Sequence, residues 1–232
     1  MISVSELLKK SWMLYKEHAQ LLIGLIAWLL IPSILIVLLE TISFPAVDVL
    51  IGIVRMGEFL FGLWIMTAVL FLLPALIKKE SYVLKQIFAQ SLHILPSLIL
   101  LELLFIAVVF GGFLLLIIPG LLFLVWFAFA QFSLLFENKK GIQALIASRH
   151  LVQKRFWGIA WRLFAGPALI GFFYFLLVAI LVLIFSGINQ PSLDQIPLLA
   201  DLISTIVEIF FVPFFLIYSF LLYQEAKDTY AS

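Results

Sequence analysis

"LILLELLFIAVVFGGFLLLII" occupies residues 98–118, and Glu102 is its only charged side chain. About 20 consecutive apolar residues make a helix long enough to cross a hydrocarbon core roughly 30 Å thick. A carboxylate in that core is costly unless it is paired, protonated or within reach of water. The fold therefore turns on whether this stretch stands alone, and on where the other charges of the chain fall.

It does not stand alone. Similar apolar stretches lie at 21–39, 59–77, 121–136, 159–185 and 202–223. The 232-residue chain is 65% hydrophobic and 12% charged, with a mean hydropathy of +1.25. Soluble domains are nearer half apolar and a quarter charged, so this composition predicts an all-α, polytopic membrane protein with six transmembrane helices in a single membrane domain over 1–232. Pro119-Gly120, between the third and fourth stretches, reads as the turn of a hairpin. Cysteine is absent, which excludes a disulfide framework, a thiolate metal site and a cysteine nucleophile. The amphipathic opening "MISVSELLKKSWMLYKEH" has no short apolar region ending in small residues, so it is not expected to be a cleaved signal.

The basic residues are one-sided. Lys9, Lys10 and Lys16 precede the first span, and Lys78, Lys79 and Lys85 follow the second. Lys139, Lys140, Arg149, Lys154 and Arg155 follow the fourth, and Lys227 follows the sixth. The alternate connections carry Glu40, Asp48, Glu58, Asp194 and Asp201, with Arg55 their only base. By the positive-inside rule both termini are expected to be cytoplasmic.

Each basic segment has the pattern of a short amphipathic helix, so three cytoplasmic interfacial helices are expected beside the six spans. In the first, Val4, Leu7, Leu8, Trp12 and Tyr15 share a stripe, and Ser3 with Glu6 forms a capping box. The second places Leu84, Ile87, Phe88, Leu92 and Leu95 opposite Lys85, Gln86, Ala89 and His93. The third sets Ile142, Leu145, Ile146 and Val152 against Gln143, Gln153 and Lys154. Superposing "LLKKSWMLY", "IFAQSLHIL" and "ALIASRHLV" aligns Ser11, Ser91 and Ser148. Glu80 and Glu137 each lie eleven positions before a repeat serine. This spacing predicts a threefold internal repeat with units near 1–79, 80–138 and 139–226, each an interfacial helix followed by a two-span hairpin.

Residues 117–164, "IIPGLLFLVWFAFAQFSLLFENKKGIQALIASRHLVQKRFWGIAWRLF", resemble a bacterial family of six-span membrane proteins. That family includes the membrane domain of some glycerophosphodiester phosphodiesterases and stand-alone relatives. The resemblance rests on Pro119-Gly120, Glu137 before Gly141, Ala144 with Ser148, and the exit Arg155-Phe156-Trp157. It implies six spans and a bacterial cytoplasmic (inner) membrane. No segment here is long enough to hold the phosphodiesterase barrel, so the resemblance implies no substrate.

Arg162 lies fourteen residues past Ser148 and Glu102 eleven past Ser91. At about 1.5 Å per residue their depths differ by about 4–5 Å, so a Glu102–Arg162 ion pair joining two repeats is expected. Snorkelling of both groups to the interface, or a proton-coupling role for Glu102, are the alternatives. Glu208 is the second intramembrane acid. With Ser204, Thr205 and Arg55 it forms a candidate polar patch, within which Glu58 competes for Arg55. Pro32, Pro74, Pro167 and Pro213 fall inside spans, where proline bends a helix.

No nucleotide loop, HExxH or GxSxG motif is present, and Ser148-Arg149-His150 places its would-be nucleophile and base on different helix faces. His18, His93 and His150 lack the companions of a metal site, so no enzyme, metal or cofactor is expected and no nucleic-acid partner. The expected partners are membrane lipids, with anionic headgroups meeting Lys9, Lys10, Trp12, Lys139, Lys140, Lys154, Arg155 and Trp157. A protein partner is not specified by the sequence. The function expected is that of a non-catalytic, lipid-interacting protein supporting membrane and envelope homeostasis or a partner. The alternative is a small transporter or lipid-translocating protein with Glu102 or Glu208 as its coupling acid.

Overall fold

Ser3 starts the first helix as its spacing to Glu6 requires: its hydroxyl accepts the Glu6 N–H at 3.2 Å. The computed structural model describes residues 2–40, 42, 46–189 and 196–231, which places Asp194 outside the described residues. These residues are 92% helical, without strands. The helices are α1 (Val4–Ile26), α2 (Leu30–Glu40), α3 (Val47–Lys78), α4 (Leu84–Leu115), α5 (Ile117–Phe127), α6 (Ala130–Glu137), α7 (Ile142–Gln153), α8 (Phe156–Asn189) and α9 (Ile196–Ala231). A single 3₁₀ turn, Ala27–Leu29, joins α1 to α2, and α5 with α6 makes one interrupted helix. Six of these segments are long and apolar enough to cross a membrane. The protein is an all-α polytopic membrane protein.

Only one of the three amphipathic stretches is a helix of its own, α7. The first continues into α1 past a single non-helical residue, His18 (φ −122°, ψ 19°). The second continues without a break through Pro96 into the rest of α4. No glycine or left-handed cap separates its amphipathic part from its apolar part, so nothing ends the helix there. The start of α1 is also drawn into the bundle. The Ile2 N–H donates to the Glu225 carboxylate, and the rings of Trp12 and Tyr15 lie 6.0 and 6.1 Å from Phe214. Leu7, Ser11, Tyr15 and Leu22 supply the buried stripe of α1 that packs there.

The hairpin turn sits earlier than Pro119-Gly120. Leu116 alone is extended (φ −165°, ψ 156°), and Pro119 and Gly120 belong to the first turn of α5. Proline is tolerated there because an amide in the first helical turn has no intrahelical acceptor to lose. Gly120 is used for close approach instead: a Cβ on it would lie 2.4 Å from the Phe113 ring. The other prolines also break less than expected. Helices continue through Pro74, Pro167 and Pro213, and only ahead of Pro32 does the backbone tighten into the 3₁₀ turn.

The core lies between α3 and α9, where Leu70, Leu72 and Leu73 meet Ile217, Tyr218, Phe220 and Leu222. Phe132, Phe136, Phe220 and Tyr223 form an aromatic cluster beside it, with Phe132 and Tyr223 stacked at 5.0 Å. Ser11, Ser91 and Ser148 are all fully buried. Glu80 and Glu137 do not agree. Each lies next to a left-handed C-cap, but Glu80 follows Lys79 (φ 54°) whereas Glu137 precedes Asn138 (φ 53°).

Candidate functional site

The last turns of α9 gather the basic end of the molecule. Glu137, at the end of α6, accepts from Tyr223 (2.9 Å) and pairs with Lys227 (3.1 Å) and Lys139 (3.0 Å). Glu225 takes the Ile2 amide, and Lys154 lies 4.9 Å over the Tyr230 ring. Through these contacts α1, α6 and the α7–α8 junction meet at one end. All eight residues assigned to headgroup contact, Lys9, Lys10, Trp12, Lys139, Lys140, Lys154, Arg155 and Trp157, are exposed there. Lys10 pairs with Glu6 at 3.7 Å, and Lys9, Lys140 and Arg155 have no acidic partner among the described residues. Trp157 and Trp161, one turn apart on α8, are 83% and 68% exposed. Exposed indoles beside bases are the arrangement that settles at a membrane–water interface.

The Glu102–Arg162 pair does not form. Arg162 Nε donates to the Ile2 carbonyl at 2.7 Å and its Nη1 to the Gly158 carbonyl at 2.7 Å. Tyr218 Oη donates to the Arg162 carbonyl at 2.7 Å, so this turn of α8 is tied to α9 and to the start of the chain. Matching depth did not bring the two charges together, because α4 and α8 do not pack side by side: α4 lies against α3, α5, α6 and α7, and α8 chiefly against α9. Glu102 is half-buried on α4 next to Leu101, with no hydrogen bond or ion pair among the described residues.

At the opposite end a cavity of about 660 Å³ opens between α2, α3 and α9. Arg55, Glu58, Asp201, Ser204, Thr205 and Glu208 all line it, so the expected polar patch exists as a place. Its internal pairing differs from expectation. Arg55 bonds Glu40 at 3.1 Å rather than Glu208, and Glu58 accepts from Ser33. Ser204 and Thr205 spend their hydroxyls on the Asp201 carbonyl, at 2.8 and 2.9 Å. Helical hydroxyls readily donate to the carbonyl one turn back, which leaves these two only as acceptors toward the cavity. Glu208 is exposed to the cavity.

A second cavity, of about 580 Å³, lies between α1, α8 and α9 near the basic end. Its walls are carbon: Tyr15, Ile170, Phe173, Phe210 and Phe214 among others, with Lys9 and Trp12 on the α1 side. Sequence reading found Lys9 and Trp12 but not the groove, since Phe173 and Phe210 look like any other span residue. The signal available was Trp12 and Tyr15 at helical spacing, which marks an aromatic face that needs a neighbour. Among the described residues no three His, Asp or Glu side chains come close enough to hold a metal ion. No family model, curated protein or solved structure matches the chain.

Proposed function

We propose that this is a non-catalytic, lipid-interacting protein of a bacterial cytoplasmic membrane, with both termini in the cytoplasm. Its basic end engages anionic headgroups and serves the homeostasis of that membrane or of a partner protein. One observation carries the reading: all eight bases and indoles assigned to headgroups are exposed, and Lys139, Lys154 and Trp12 are tied to α9 through Glu137, Tyr230 and Phe214. Each base near an anionic surface contributes about 1 kcal/mol of attraction. The resemblance to the membrane domain of glycerophosphodiester phosphodiesterases is in keeping with a supporting rather than a chemical role.

The test is thermal unfolding in nanodiscs of phosphatidylglycerol against phosphatidylcholine. The anionic lipid should raise Tm, and the triple variant Lys140→Gln, Lys154→Gln, Arg155→Gln should lose that gain. Equal Tm in both lipids overturns the reading. Because the chain has no cysteine, sidedness can be read from single introduced thiols. Asp48→Cys should react with a membrane-impermeant maleimide in intact cells and Lys140→Cys should not.

The cavity with Glu58 and Glu208 favours a second reading, a small transporter with Glu208 as coupling acid. Glu208→Gln should then keep the fold and abolish proton-linked flux in proteoliposomes. Protein that carries no flux in wild-type form removes this reading.

A further inference from the structure

Resting on the lipid-interacting reading, we infer that the groove between α1, α8 and α9 seats an acyl chain of one anionic phospholipid, whose headgroup is held by Lys9. Each of these helices is part of a candidate membrane span, so the groove opens toward lipid rather than toward a protein core. Its volume of about 580 Å³ lies in the range that holds small-molecule ligands. The wall residues Leu169, Phe173 and Phe210 are 44%, 58% and 49% exposed, so they offer carbon to a neighbour that this chain does not supply.

The occupant must match both halves of the groove. Its floor has no side chain that needs a hydrogen bond, apart from the Tyr15 hydroxyl, and so takes hydrocarbon. Lys9 on its rim is exposed and has no acidic partner among the described residues, so it takes an anion. Trp12, 50% exposed and stacked on Tyr15 at 5.5 Å, stands next to it, and an exposed indole beside a base is the pairing that suits a headgroup. A molecule that is apolar at one end and anionic at the other, present throughout a bacterial membrane, is an acidic phospholipid. The outer cavity offers a contrast, because three carboxylates line it and would repel the same headgroup.

The experiment is native mass spectrometry of the full chain in mild detergent, titrated with phosphatidylglycerol or with phosphatidylcholine of the same chains. Leu169→Trp fills the groove from an exposed position and so spares the core. Lys9→Gln removes only the charge. The expected result is one retained phosphatidylglycerol in preference to phosphatidylcholine. Leu169→Trp should lose it, and Lys9→Gln should bind it roughly fivefold more weakly, the share of one base. Lys154→Gln with Arg155→Gln should leave this bound lipid in place.

If phosphatidylglycerol is retained by Leu169→Trp but lost with Lys154→Gln and Arg155→Gln, the groove is overturned while the broader reading stands. No preference for the anionic lipid in wild-type protein, with binding unchanged in Leu169→Trp, overturns both. Phosphatidylcholine bound equally, and lost on filling, leaves a chain groove without charge selection and overturns the role of Lys9. A dimer that dissociates on Leu169→Trp would put a second copy in the groove instead of lipid and overturn the inference.

Discussion

α3 and α8 are spans of nearly equal length and they sit in different surroundings. The most apolar window of α3 is 44% buried inside the protein and that of α8 only 6%, although α8 is the more apolar of the two. In water that order would be reversed. In a membrane, lipid tails are as apolar as leucine, so apolarity does not decide which face turns inward. The neighbours each helix meets decide it: α3 packs against α1, α2, α4 and α9, and α8 chiefly against α9. α3 buries Gly62, Thr67 and Ala68 together with Ile65, Val69, Leu70, Leu72, Leu73 and Leu76, whereas among the described residues α8 buries Ile159, Ala160, Gly166 and Ile170. Its other faces carry large rings, Phe172, Phe173 and Phe175 among them, turned outward.

That comparison is best sharpened at the one stripe where α8 does touch the core. A Cβ at Gly166 would fall 2.1 Å from the Tyr218 ring, so Gly166→Ala must displace a fully buried tyrosine and its bond to the Arg162 carbonyl. It should cost about 3 kcal/mol, seen as the largest Tm drop in detergent of any variant here. Leu73→Ala, at a fully buried site on α3, should come next at about 2 kcal/mol. The figure is at the low end because part of the usual water-transfer gain is missing in a membrane. Ser148→Ala should cost about 1–2 kcal/mol by stranding a buried amide and carbonyl, with hydrogen exchange rising first at Phe129.

The double-mutant cycle of Glu102→Gln with Arg162→Gln should show coupling under about 0.5 kcal/mol. Larger coupling would mean that the two groups meet after all. Smallest of all is Leu183→Ala, 72% exposed on α8, which should leave Tm within about 0.5 kcal/mol of wild type. If it costs as much as Leu73→Ala, the contrast between the two spans fails and α8 has a partner not seen in the monomer.

The six spans and the N-cap at Ser3 could be read from local pattern, because length and short-range spacing determine them. What could not be read was set through space. Arg162 turned to the Ile2 carbonyl, at a separation of 160 residues, and Arg55 turned to Glu40 instead of Glu208. Neither choice has a periodicity to betray it. The hairpin turn moved to Leu116 because Pro119-Gly120 fits both a loop and the first turn of a helix, and only the Gly120–Phe113 approach selects between them.

The break between α5 and α6 has a mechanical consequence. Ser148 of α7 accepts from the Phe129 N–H at 2.9 Å and donates to the Trp126 carbonyl at 2.8 Å, while its neighbour Arg149 lies 4.5 Å over the Trp126 ring. A hydroxyl thus replaces a missing rung of the ladder inside a membrane-crossing helix, and it is held from outside that helix. α7 is therefore a handle on the fourth span. A slide of α7 by one residue, about 1.5 Å, would withdraw the hydroxyl beyond hydrogen-bonding range. Both backbone groups would then be left unmatched at a point where lipid offers no substitute. Whatever displaces α7 acts on the backbone of the fourth span through Ser148 and the Arg149–Trp126 contact.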